Sequence, residues 1–201
     1  MKKNIRFYFG VIATVLASTV YAASYEDGQV AYDTKDYHQA VEIWEGLAEQ
    51  GDIQSQLKMA ELYSKGFFVK RKQLIKKNQT TSFKLYNQAA DQGSSEALLQ
   101  LGLIYMIGQG EIKRDAEKAR ELYLKAANQG YAAAQYYYGV SYFRGEGVPT
   151  DYVQAHAWMH VAAVKGYKPA VEYIRNITEV LSEEQLEESK SISDQLLAEI
   201  K

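Results

Sequence analysis

No cysteine occurs anywhere in the 201 residues. That excludes disulfides and lipid attachment at a processed cysteine, and it leaves side-chain packing alone to hold the fold. A strong charge of either sign is missing too. The 23 basic and 25 acidic side chains give a formal net charge of −2, which argues against nucleic acid as a general partner. Histidine is scarce, at three residues. His156 and His160 stand four apart on a helix, a possible metal pair. The segment His156-Ala157-Trp158-Met159-His160 lacks the glutamate of the zinc-protease pattern, however, so the expectation is that no metal binds. Gly108-Gln109-Gly110 and Gly145-Glu146-Gly147 recur with a period and read as turns, not as phosphate-cradling loops. No serine sits in a strand-turn-helix elbow, because no strand is evident. With no catalytic constellation and no cofactor motif, the expectation is a protein that is not an enzyme.

Nor is there an apolar run of the about 20 residues that a helix needs to span a bilayer. The stretch from Phe7 to Val20 is 14 residues without charge, preceded by Lys2, Lys3 and Arg6 and followed by small residues at Val20-Tyr21-Ala22. This is the pattern of an export leader, residues 1–22, with cleavage before Ala23. The expectation is therefore a periplasmic or secreted protein with no stable membrane anchor after cleavage. Losing the three basic residues of the leader leaves 20 positive and 25 negative charges, a net of −5. The remaining residues, 23–201, suffice for one elongated domain. Its 17 tyrosines against 6 phenylalanines suit a thin array, where a ring is buried while its hydroxyl stays wet.

What the chain does contain is one pattern, repeated. From Gly93 to Gly130 it reads as two helices. Leu98, Leu101, Gly102 and Tyr105 mark one face of the first, and Asp115 caps the second, whose stripe is Ala119, Leu122, Tyr123, Ala126 and Ala127. The distance from cap to terminal glycine is 15 residues in each of four units, 36 to 51, 78 to 93, 115 to 130 and 151 to 166. From that glycine to the next small residue, at 60, 102 and 139, it is 9. Only the loop between paired helices varies, at 12, 7 and 6 residues. Length variation confined to one loop is how a stacked array takes insertions. The glycines at 102 and 139 predict close approach of neighbouring helices. Trp44, Tyr86, Tyr123 and Trp158 are expected to pack between units.

Leu101-Gly102, Tyr105, Gly108-Gln109-Gly110, Asp115, Ala119 and Ala126-Ala127-Asn128-Gln129-Gly130 resemble the Sel-one-like repeat, a branch of the tetratricopeptide-type solenoids. Tyr138-Gly139 through Arg144-Gly145-Glu146-Gly147-Val148-Pro149 to Gly166 matches as well, while the upstream unit departs at Met59-Ala60 and Phe68. The resemblance spans roughly Tyr25 to Lys201. It implies an all-α fold, a right-handed α-solenoid of about four helix-turn-helix units with a C-terminal cap. Lys168 to Val180 reads as a last helix of the first type, and Ser182-Glu183-Glu184-Gln185 is a capping box opening the cap, residues 182–201. The implied function is scaffolding, by binding another protein. A narrower reading is an immunity or inhibitor protein acting on a secreted toxin or a cell-wall enzyme. A hydrolase reading belongs to cysteine-rich relatives and lacks those cysteines here.

In arrays of this kind the first helices line the concave side. Offsets 3, 6, 10 and 13 after each terminal glycine then face inward: Gln54, Leu57, Glu61 and Ser64; Glu96, Leu99, Leu103 and Met106; Ala133, Tyr136, Val140 and Phe143. Leu99, Leu103, Met106, Tyr136, Val140 and Phe143 are expected to form one solvent-facing apolar patch that binds the partner, with Tyr136 and Phe143 as anchors. A second candidate is the long loop after Gly66. Leu62 to Ala90 holds seven basic residues and no acidic one. Lys70, Arg71 and Lys72 there would meet an acidic partner or an anionic surface, unless the loop is simply a solvated insertion. Phe67, Phe68, Leu74 and Ile75 give it apolar handles.

Overall fold

The computed structural model describes residues 23–200; the expected leader and Lys201 lie outside the described residues. Helix α1 (Tyr25–Asp33) leads into α2 (Tyr37–Glu49) and α3 (Ile53–Lys65). A two-stranded hairpin follows, β1 (Phe67–Val69) and β2 (Lys72–Ile75). Then come α4 (Gln79–Asp91), α5 (Ser95–Ile107), α6 (Ala116–Asn128), α7 (Ala132–Arg144), α8 (Tyr152–Val164), α9 (Pro169–Thr178) and α10 (Glu183–Glu199). Each helix from α1 to α9 packs against its neighbours in the chain, so the expected α-solenoid is the fold. The expectation that no strand occurs is corrected by the hairpin.

The repeat has a local cause at each end of its second helix. Asp36, Asn78, Asp115 and Asp151 each accept the backbone N–H three residues on, which caps α2, α4, α6 and α8. Those helices stop at Gly51, Gly93, Gly130 and Gly166, all with φ between +83° and +95°. The amide after each glycine reaches back to a carbonyl five residues earlier, at Leu47, Ala89, Ala126 and Ala162. This paired stop satisfies carbonyls that the helix end leaves free. Helices α2 to α8 are each 13 residues long, so successive units stack without an overhang.

The small-residue position is where helices meet. A Cβ placed on Gly102 would lie 2.4 Å from Tyr123 Cε1, and one on Gly28 would lie 2.4 Å from Trp44 Nε1. Both distances are inside van der Waals contact, so only glycine leaves room for those rings against the facing helix. Trp44 and Tyr123 are almost completely buried there. Trp158 departs from the expected register. Met159 holds the equivalent place against Gly139, and Trp158, one residue earlier, stacks edge-on against Tyr138 at 4.8 Å.

The cap also differs from the simple reading. Helix α10 lies on α8, with its principal contacts there and not on α9. The residues it buries most deeply are Ser189 and Ser193, with Ile200 at its end. Small side chains let the helix approach closely, while Leu186, Ile192, Leu196 and Leu197 are half-buried at its flanks. Lys165 Nζ donates to the Ile200 carbonyl and ties the end of α10 to the end of α8.

Candidate functional site

The first-type helices do form a cleft. Gln54, Leu57, Glu61 and Ser64 of α3 all line one hollow of about 400 Å³, together with Glu96 and Gln100 of α5, Tyr86 of α4 and Tyr25 of α1. The expected inward row of the first unit is thus brought together, and it is polar. Lys58, at its edge, sits over the rings of Tyr32 and Trp44 at 5.0 and 5.1 Å. Glu61 takes Lys65 at 2.7 Å in an exposed pair. Glu96, by contrast, has no ion-pair partner among the described residues. Burial, then the fields of Glu61 and Glu96, push the Tyr86 hydroxyl well above the ordinary tyrosine value. A tyrosine held neutral beside carboxylates is available as a hydrogen-bond donor throughout the neutral range.

The other two rows do not form the expected solvent-facing patch. Leu99, Tyr136 and Val140 are buried, and Leu103, Met106 and Phe143 are half-buried. Tyr136 packs among the rings of Tyr137, Tyr167 and Tyr173, and Phe143 meets Tyr152 and Tyr173. Tyr136, Val140 and Phe143 belong to a cluster completed by Ala170, Ile174 and Ile177 of α9. The physical reason is that α9 stacks on the last full unit and covers its inward face. Leu99 is buried in the central cluster with Leu57 and Tyr138.

The basic loop is an ordered hairpin. Phe67 pairs with Ile75, Phe68 with Gln73 and Val69 with Lys72, leaving a two-residue turn at Lys70-Arg71. Ile75 is buried, and Phe67 and Leu74 pack against the cluster around Trp44. The ring of Phe67 meets those of Tyr32 and Tyr37. Phe68 points away and is 59% exposed. Lys70 and Arg71 have φ of 48° and 68°, left-handed backbone that costs a residue with a side chain about 1 kcal/mol or more. Such turns favour Asn-Gly; the chain carries two cations instead. Lys70, Arg71 and Lys72 are exposed, and none has an ion-pair partner among the described residues. Lys35, also at positive φ, lines one shallow hollow with Lys70, Phe68, Tyr32 and Tyr37. Lys76 and Lys77 differ, lining a wider hollow of about 820 Å³ that they share with Glu42 and Glu45.

His156 is a strut. Its ring nitrogens lie 2.6 Å from Ser189 Oγ of α10 and 3.2 Å from Thr178 Oγ1 of α9. Burial, and then the neighbouring His160, hold its pKa below the usual histidine value of 6.5. His160 stacks on it at 6.5 Å, and its Nδ1 is buried without a partner. Sequence reasoning also missed Arg120, which lies over the rings of Tyr138 and Tyr142 and donates to both hydroxyls at 2.7 and 2.8 Å. Nothing in the one-dimensional pattern pairs this arginine with tyrosines of the next unit.

Stacked helix pairs of constant length with a cleft on the first-helix side define an α-solenoid. The chain belongs to the Sel1 repeat family, whose model matches residues 17–52, 53–94, 95–131 and 132–167. Sel1 repeat proteins generally act as scaffolds for protein-protein interaction and are typically non-enzymatic. A Sel1 repeat protein from Oxalobacter formigenes is similar in structure, with a TM-score of 0.65 and 30% identity over 75% of this chain. A protective antigen present in uropathogenic Escherichia coli strains, displaying an SLR fold, matches with a TM-score of 0.53 and 26% identity over 88% of this chain. This chain covers 59% of the first of those structures and 45% of the second. No protein of curated function matches. Among the described residues, no helix is long and apolar enough to cross a membrane.

Proposed function

We propose that this chain is an exported scaffold that binds another protein in the cleft between α3 and α5. The observation that carries this reading is the convergence of Gln54, Glu61, Ser64, Glu96, Gln100 and Tyr86 on one hollow. Amides, hydroxyls and carboxylates in that arrangement suit the polar groups of an extended polypeptide. The unpaired Glu96 favours a cationic side chain at one end. The charged start and 14-residue apolar run before Ala23 support export.

The test is site-specific photocrosslinking in the full chain, expressed in a bacterium with its leader in place. A crosslinker at Gln100 should yield one discrete adduct in the exported fraction, and the same group at Lys84 on the outer layer should not. Glu96→Lys should abolish the adduct while the circular dichroism spectrum is retained. Equal adducts at both positions, or an adduct indifferent to Glu96→Lys, would remove the cleft from consideration. Unprocessed chain confined to the cytosol would remove export.

A further inference from the structure

We propose that the tip of the β1–β2 hairpin is a docking element for an anionic lipid surface. Phe68 would enter the headgroup boundary, with Lys70, Arg71, Lys72 and Lys35 set over lipid phosphates. Four observations converge on this. The outward ring of Phe68 has no packing role, because Phe67, Leu74 and Ile75 of the same hairpin already tie it to the N-terminal cluster. The cations are exposed and free of ion pairs among the described residues, and the 62–90 stretch contains no acidic residue to neutralise them. The turn keeps a lysine and an arginine in backbone conformations that Asn-Gly would adopt without strain. Strain retained at one place points to a use there. Finally, Lys35 of the α1–α2 turn, although flanked in sequence by Asp33 and Asp36, shares one hollow with Phe68 and Lys70, so a cation from a separate segment reaches the tip.

A lipid surface fits these features better than an acidic polypeptide. A single apolar side chain combined with a cluster of cations is the two-part signal that interfacial anchors use. The rest of the molecule carries the acidic excess behind the overall charge of −2, so an anionic bilayer would repel other faces and select the tip. Each basic side chain close to such a surface strengthens binding roughly five-fold, so the three of the hairpin give roughly a hundred-fold. Docking of this kind would hold the solenoid at a membrane while leaving the α3–α5 cleft, on other elements, free for its partner.

The experiment is co-sedimentation of the full chain without its leader, residues 23–201, with vesicles of phosphatidylglycerol in phosphatidylcholine. Vesicles of phosphatidylcholine alone and a high-salt arm are the controls. Binding is expected only to the anionic vesicles and should weaken with salt. The decisive variant is Lys70→Asn with Arg71→Gly, which removes two charges and relaxes the turn. Its melting temperature should equal or exceed wild type, while vesicle binding falls roughly 25-fold. A Phe68→Trp reporter should shift to the blue on the anionic vesicles and be quenched by brominated lipid. Glu96→Lys should leave vesicle binding unchanged, which separates this proposal from the cleft. Equal binding to neutral vesicles, wild-type binding by the relaxed-turn variant, or an unshifted reporter would overturn it. So would tight binding to polyglutamate with none to vesicles, which would assign the tip to an acidic polypeptide.

Discussion

The loops after α3 and after α5 leave the array and return to it at equivalent points. Gly66 donates to Leu62 and Asn78 to Tyr63 on either side of the hairpin; Gly108 donates to Ile104 and Asp115 to Tyr105 on either side of the short turn. The bonds at the exits and returns are 2.8 to 3.0 Å long in both. Between those anchors one loop is a strained, basic hairpin and the other a compact turn closed by a Gln109–Ile112 bridge. The stack is therefore indifferent to what the loop contains, provided its two ends are pinned. Stability resides in the helices, and variation in surface chemistry resides in the loops.

That contrast is open to test, beginning where the array should be least tolerant. Tyr136→Ala removes a buried ring from the cluster under α9 and should cost about 3–5 kcal/mol, read from the urea midpoint. A loss confined to partner binding would return Tyr136 to the groove. Gly102→Ala should cost about 1–3 kcal/mol, because its Cβ would meet Tyr123 at 2.4 Å and Tyr123 has little room to shift. Asp115→Ala, which removes one cap of α6, should cost about 1 kcal/mol. If it instead melted the whole chain, the units would be coupled more tightly than their separate caps suggest.

Acid should act through the far end. The pKa of folded His156 lies below the unfolded value near 6.5, so between those two values the unfolded chain binds the extra proton. Stability should thus be greatest above pH 6.5 and decline as pH falls from there toward the lowered folded value. His156→Gln should flatten that decline, measured as melting temperature against pH. The smallest effect belongs to the loop. Phe68→Ala should change stability by no more than about 0.5 kcal/mol, as expected of an exposed side chain; a larger loss would mean that its ring packs in solution.

Much of the fold was legible because it rests on short-range chemistry that recurs. The four caps, the four terminal glycines and the small residue in each first-type helix are all visible as spacings, and each does the job its spacing implies. The interaction surface was harder to see. Offsets 6 and 10 correctly group Tyr136 with Val140 on one helical face, but periodicity does not say which element lies over that face. Over that face lie Ala170, Ile174 and Ile177 of α9, a helix with Arg175 and Thr178 where the earlier first-type helices carry a small residue and a tyrosine. The hairpin was hidden for a related reason. Its strands are only three and four residues long, and the turn lacks the asparagine and glycine that usually announce one.

The pinned ends of the α3–α4 loop also make this position a transplant site. Closing a longer loop costs only slightly more entropy than closing a short one, and here the array supplies the closure before the insert folds. A segment moved between Gly108 and Asp115 would start and finish on the same two kinds of bond that hold the hairpin now. The solenoid can thus be treated as a rack with interchangeable heads, in which surface chemistry is exchanged one loop at a time while the helices beneath keep their register.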